Sequence, residues 1–221
     1  MSSGPTTIHL SRHGETDWNR ALRWQGHTDI PLNALGLQQA AALAARLRTD
    51  GLRPHLVASS DLDRALRTAL LAAEAVGGEL VVERDLREID VGRWSGRTRP
   101  EAEALDPGVL ARIDSGEDLP RGGAERFAQL QTRCGAVFDR LAARVAGGTL
   151  LIVSHGGPVR ALLAHALGAQ AGLDYPQLAI GNTSLTTLVG GPGGWRLLRL
   201  DDRAHLTGLV KGPRGAEVEG A

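Results

Sequence analysis

Two short segments of this chain share one arrangement. Residues 8–14, "IHLSRHG", run apolar and end on Arg12, His13 and Gly14, and residues 150–157, "LLIVSHGG", run apolar and end on His155, Gly156 and Gly157. A strand end is where a parallel sheet presents chemistry, and glycine there lets the backbone approach a ligand closely. A neutral imidazole is a nucleophile at cellular pH. A guanidinium grips two phosphoryl oxygens at once, which an ammonium cannot do. Together these groups suit phosphoryl transfer, which needs charge stabilisation on three oxygens and in-line positioning. Each segment alone also admits a plainer reading, a solvated Arg-His pair or a structural histidine. The two imidazoles can meet only if their strands are neighbours.

Further residues could join them. "SSDLDRALRTA" (59–69) sets Arg64 near a helix start, where the amino-terminal dipole also favours an anion. Gly156 and Gly157 open another helix and offer backbone N–H groups. An alkoxide leaves badly, and a proton from a positioned carboxylic acid is worth roughly a hundredfold or more. Glu15, Glu88 and Asp90 compete for that task, and spacing alone does not choose among them. No cluster of His, Asp or Glu has metal-ligand spacing, so no metal or other cofactor is expected.

The elements that must position these groups follow a β-α-β-α-β rhythm. Strands are expected at 6–11, 55–60 and 79–83, with helices at 35–49, capped by Asn33, and 61–76. A glycine-, proline- and charge-rich excursion spans 86–123 and has the character of a lid or substrate loop. A helix over about 125–145, a buried strand at 149–154 and a helix at 158–168 with Pro158 in its first turn come next. A terminal strand pair at 183–190 and 195–202 is split by "GPGG". The expected fold class is α/β, a three-layer sandwich with a mostly parallel central sheet flanked by helices. One domain is expected across 1–221, with disordered tails at 1–5 and about 211–221.

Composition limits the alternatives. With 221 residues, 42% hydrophobic and 23% charged, the chain can build a substantial core. A formal net charge of +0 gives no general attraction to nucleic acid or acidic membrane, so any anion site must be local. The single cysteine, Cys134, excludes an internal disulfide framework and reads as a core residue. "MSSGPTT" lacks the apolar segment of a signal peptide, and no apolar run approaches a membrane span, so a cytoplasmic location is expected.

Five segments, in order, resemble the histidine phosphatase superfamily in its phosphoglycerate-mutase-like branch: "RHGETDWN", "QGHTDIPLNALGLQQA" (25–40), "SSDLDRALRTA", "LREIDVGRWSG" (86–96) and "SHGG". The resemblance implies that His13 is the nucleophile phosphorylated on its ring, that Arg12 and Arg64 line the phosphate pocket, and that His155 binds the transferring group. It assigns the proton donor to Glu88 and substrate contacts to Asn19, Gln25, Gly26 and Gly156. It implies a metal-independent phosphomonoesterase for a small phosphate ester of the sugar or glycerate phosphate type. A homodimer is left open.

Mutases of this family carry a tyrosine-lysine pair after the glutamate, and residues 88–122 contain neither residue type. Arg93, Arg97, Arg99, Arg112 and Arg121 stand there in a different arrangement, and most are expected to be solvated. A phosphatase is therefore expected, with a mutase and a non-catalytic phosphate binder as alternatives. Two departures bear on substrate contacts: "GRWSG" has Ser95 where relatives often have glutamate, and "GGAE" (122–125) stands where they often read "GGES". Trp18, Trp24 and Trp94 lie near the site residues and could line the pocket or fill the core.

Overall fold

The computed structural model describes residues 4–168 and 174–209. Six strands form one mixed sheet in the order β3-β2-β4-β1-β5-β6. They are β1 (Thr6–Arg12), β2 (Leu56–Ser59), β3 (Glu79–Val82), β4 (Thr149–Ser154), β5 (Leu185–Gly191) and β6 (Gly194–Asp202). Strands β1 to β4 run parallel, and β5 returns antiparallel beside β1 with β6 antiparallel to it. The fold is thus the α/β sandwich the pattern calls for. The turn between the last two strands is Pro192-Gly193, inside the "GPGG" break.

Side chains alternate across the sheet, and each face is covered by its own helix pair. Val57, Leu151 and Val153 pack on Leu43 and Leu47 of α2 (Ala34–Thr49) and on Ala69 and Ala72 of α3 (Asp63–Val76). Leu56, Ala58, Leu150 and Ile152 face Leu130, Phe138 and Leu141 of α6 (Phe127–Arg144) and Val159 and Leu162 of α7 (Gly156–Leu167). Strand β4 has solid cover on both faces, which explains its uninterrupted apolar run. Asn33 caps α2 as expected, its side chain accepting from the Gly36 N–H at 2.8 Å.

Boundaries differ in small ways. Helix α3 starts at Asp63, whose N–H donates to Asp29 Oδ1 at 2.8 Å, while Asp61 stays outside it in a two-pronged ion pair with Arg87. Helix α7 starts two residues before Pro158, at Gly156. A four-residue helix α1 (Asp17–Arg20), closed by a Thr16–Asn19 capping box, was not anticipated. The segment 86–123 is no open flap: it holds α4 (Arg99–Leu105), α5 (Val109–Asp114) and tight turns that bury Leu86, Trp94 and Ala102. Gly4 and Pro5 are exposed, while the rest of the expected tails lies outside the described residues.

Candidate active site

The two strand-end histidines meet. Strands β1 and β4 are direct neighbours, paired Arg12 to Ser154, and the His13 N–H donates to the Ser154 carbonyl at 2.9 Å. The ring centroids of His13 and His155 lie 5.1 Å apart, inclined at 64°. Both rings are buried. His13 Nδ1 lies 2.6 Å from the Gly14 carbonyl oxygen. A carbonyl can only accept, so Nδ1 carries the proton and Nε2 keeps its lone pair. Burial, then Arg64 and Arg12, hold the His13 pKa well below the usual imidazole value. Burial, Arg64, His13 and Arg12 do the same for His155. Both rings are therefore neutral at physiological pH.

Gly14 has a different purpose from the expected ligand approach. A Cβ there would sit 2.4 Å from the Gly36 carbonyl oxygen, and one on Gly36 would sit 2.0 Å from the Glu15 carbonyl oxygen. The two glycines let the loop after β1 rest on the first turn of α2. The loop is also clamped from the turn before β5: the Thr183 N–H donates to the Arg12 and His13 carbonyls, and Asn182 Nδ2 donates to the His13 carbonyl at 2.9 Å. Thr183 holds φ at 53°, a strained conformation for a β-branched residue. These clamp residues went unrecognised: Thr183 reads as the first residue of the strand expected at 183–190, whereas β5 begins at Leu185 and Thr183 sits in the turn before it.

The arginines converge as the resemblance implies. Arg64 is completely buried, with Nη1 donating to the Thr28 carbonyl and Nη2 to the Gly26 carbonyl. Its Nε has no hydrogen-bond partner among the described residues, and burial pulls its pKa down to about 10. Arg12 donates to the Ile180 carbonyl. Both line a cavity of about 470 Å³ together with His13. Asn19, Gln25, Gly26 and Gly156 line it too. The Gln25 Oε1 is buried without a partner among the described residues.

Glu88 is separated from its rivals by position: it is the one carboxylate lining this cavity among the described residues. Its Oε1 accepts from the Ile89 and Gly157 N–H groups at 2.9 and 3.0 Å. The Gly157 amide, expected to face an anion, is thus committed to Glu88. Glu15 is taken up by Arg20 and Asn33. Asp90 accepts from the Gly92 N–H and braces its own loop.

Most of the arginines after Glu88 are solvated as expected, Arg93 and Arg112 in surface ion pairs, but Arg121 is 2% exposed and lines the cavity, as does Arg99. Arg160 of α7, not singled out at all, joins them. Of the tryptophans, Trp24 lines the cavity, Trp94 is buried beneath it with its ring 4.7 Å from that of Trp24, and Trp18 lines neither. Ser95 hydrogen-bonds Thr28 and the Gln25 carbonyl, while Glu125 of "GGAE" binds Arg133 and the Asp90 N–H. Cys134 is buried, and burial pushes its thiol up to about 12, which leaves it inert. No helix of the described residues is long and apolar enough to cross a membrane.

A family model described as "Histidine phosphatase superfamily (branch 1)" matches residues 8–203. A metal-independent phosphoserine phosphatase of Arabidopsis thaliana is 39% identical over 166 residues, 73% of this chain and 69% of the relative. A probable phosphoglycerate mutase, GpmB, of Yersinia pestis is 35% identical over 208 residues, 90% of this chain and 94% of the relative. The chain spans 47% of a Mycobacterium tuberculosis bifunctional protein that it matches at 37% identity. Among solved structures, a mycobacterial glucosyl-3-phosphoglycerate phosphatase in complex with VO3 superposes with a TM-score of 0.78 at 31% identity, covering 88% of this chain and 98% of that one.

Proposed function

The chain belongs to the histidine phosphatase superfamily, branch 1, and from that premise we propose that it hydrolyses a small phosphate monoester, of the sugar or glycerate phosphate type, through a phosphohistidine at His13. The observation that carries this reading is the pair of buried, neutral imidazoles in contact beside Arg12 and Arg64.

The substrate phosphoryl group sits in the cavity against His13 Nε2, its oxygens gripped by the two guanidinium groups. His13 Nε2 attacks phosphorus and the P–O bond to the alcohol breaks. Glu88 gives the departing oxygen its proton. Water then attacks the phosphohistidine and passes a proton to the Glu88 carboxylate. Inorganic phosphate leaves, and His13 returns to its neutral form. His155 Nε2 lies 3.0 Å from the Ser60 hydroxyl, and we place the His155 proton on Nδ1, which is buried without a partner among the described residues and suits a phosphoryl oxygen. Every step uses side chains of this chain. Asn19, Gln25, Gly26 and Gly156 form the remaining substrate contacts.

The test is turnover of a chromogenic phosphate ester with a chelator present. Wild type is expected to turn over, and His13→Ala to lose about a thousandfold or more. Unchanged turnover in the variant would remove His13 as the nucleophile. A mutase remains a second reading because Arg99, Arg121 and Arg160 add cations to the cavity. It requires interconversion of phosphoglycerates stimulated by the bisphosphate, and absence of that reaction eliminates it.

A further inference from the structure

His13 can present Nε2 in one place only while the Gly14 carbonyl that takes its Nδ1 proton stays still. Gly14 has to be glycine, because it lies against the Gly36 backbone. Glycine is also the residue with the widest choice of backbone conformations. The carbonyl therefore keeps its place only if the peptide groups on either side of Gly14 are held from outside.

All four of their polar atoms are held. In the peptide joining His13 to Gly14, the carbonyl accepts from the Thr183 N–H and Asn182 Nδ2, and the N–H donates to Thr68 Oγ1 at 3.2 Å. In the peptide joining Gly14 to Glu15, the carbonyl takes the His13 ring proton and the N–H donates to Gln39 Oε1 at 2.8 Å. Thr68 is fully buried on α3, and Gln39 is buried on α2. An amide N–H can only donate, so both side chains accept. The Thr68 hydroxyl keeps its own proton, which it donates to the Arg64 carbonyl at 2.8 Å. One hydroxyl thus joins the peptide that follows His13 to the turn of α3 that carries Arg64. Arg64 and His13 line the cavity, whereas Thr68 and Gln39 stand behind them.

We propose that Thr68 and Gln39 are positioning residues for the nucleophile: they fix the two peptide groups around Gly14, which keeps the His13 ring aimed and, through Thr68, in register with Arg64. That the ring attacks phosphorus is the reading given above, on which this rests. Two measurements on the full chain test it. The first is the rate at which His13 is labelled by p-nitrophenyl phosphate carrying a labelled phosphoryl group, read by rapid quench.

Thr68→Val keeps the shape of the side chain and removes the hydroxyl. It should slow labelling about tenfold or more, because small displacements of a reacting group are costly. The affinity for inorganic phosphate should stay within about threefold, since the loss falls on the reacting geometry and not on ground-state binding. Thr68→Ser keeps the hydroxyl and should recover most of the rate. Gln39→Met should repeat the loss from the other peptide, whether or not the valine variant folds.

The second measurement is ¹⁵N NMR of the histidine rings in the resting protein, with His13 assigned by difference from His13→Ala. Wild type and Thr68→Ser should show one Nδ1-protonated tautomer for His13, and Thr68→Val and Gln39→Met a mixture of two. Wild-type labelling rates with a single tautomer in Thr68→Val and Gln39→Met overturn the inference. So does an equal loss in Thr68→Val and Thr68→Ser, which would place the effect in packing and not in the hydroxyl. Mixed tautomers in the variants of a wild type that never takes the label reject the hydrolase reading and keep the positioning role. Labelling of His13 that no variant slows does the reverse.

Discussion

At the scale of single residues, the division of labour follows from what each side chain already touches. His13 is fixed in one tautomer by a carbonyl, and Glu88 is held by two amides through a single oxygen. In the proposed mechanism Glu88 protonates the leaving group, so its effect depends on how much that group needs a proton. Glu88→Gln is expected to lower kcat/KM for an alkyl phosphate by about a hundredfold or more. For p-nitrophenyl phosphate, whose phenolate leaves unaided, the loss should be much smaller. Steady-state kinetics on the two esters checks this, and equal losses would show that Glu88 has another role.

The meeting of His13 with His155, Arg12 and Arg64 was legible because strand-end and helix-start positions are marked by apolar runs and glycine. The choice of Glu88 over Glu15 and Asp90 was not legible from spacing. It depends on which carboxylate faces the cavity, and that is fixed by hydrogen bonds to Arg20, Asn33 and Gly92 far from the reacting atoms. Arg121 was missed for a related reason: in "DLPRGGAE" it carries every mark of a solvated loop residue, and its burial comes from Gly122 packing on a loop thirty residues earlier.

At the scale of elements, the site is a junction. The carboxyl end of β1 is held by β4 on one side, by the Asn182-Thr183 turn on the other and by the start of α2 below. The Gly14–Gly36 contact is backbone against backbone, so no side chain can give way. Gly14→Ala is expected to destabilise the fold by about 2 kcal/mol or more, as overpacking does. In a chain of this size that corresponds to a drop in Tm of roughly 4–8 °C. Thermal denaturation measures it, and a Tm within a degree of wild type would contradict the contact. The helices and strands were readable from the sequence because their apolar periods are long and clear. The short α1 was not, since its stability comes from a capping box and not from a buried face. Of the two readings of segment 86–123, lid or substrate loop, the second agrees with its placement: Glu88, Ile89, Val91 and Arg121 line the cavity, while Leu86 and Trp94 anchor it in the core.

At the scale of the whole molecule, the sheet buries three imidazoles as neutral groups. Burial takes His9 down to about 4 and sets His13 and His155 well below their ordinary value. In the unfolded chain the same groups protonate near pH 6.5. Below that pH the unfolded state binds more protons than the folded state, so stability falls as pH falls. Each histidine contributes a slope of up to about 1.4 kcal/mol per pH unit. Denaturant titrations at pH 7.5, 6.5 and 5.5 should therefore show stability declining through the series, with the steeper fall in the second interval. Stability that is flat or rising toward pH 5.5 would mean that the rings are charged in the folded state.

The central claim is that phosphorus is bonded to residue 13 during turnover. Wild-type protein mixed with an ester labelled in its phosphoryl group, quenched in alkaline denaturant within milliseconds and digested, should give a labelled phosphohistidine on the peptide containing His13. That label should disappear into inorganic phosphate on a chase with unlabelled ester. Full turnover with no label on that peptide at any quench time would contradict the account.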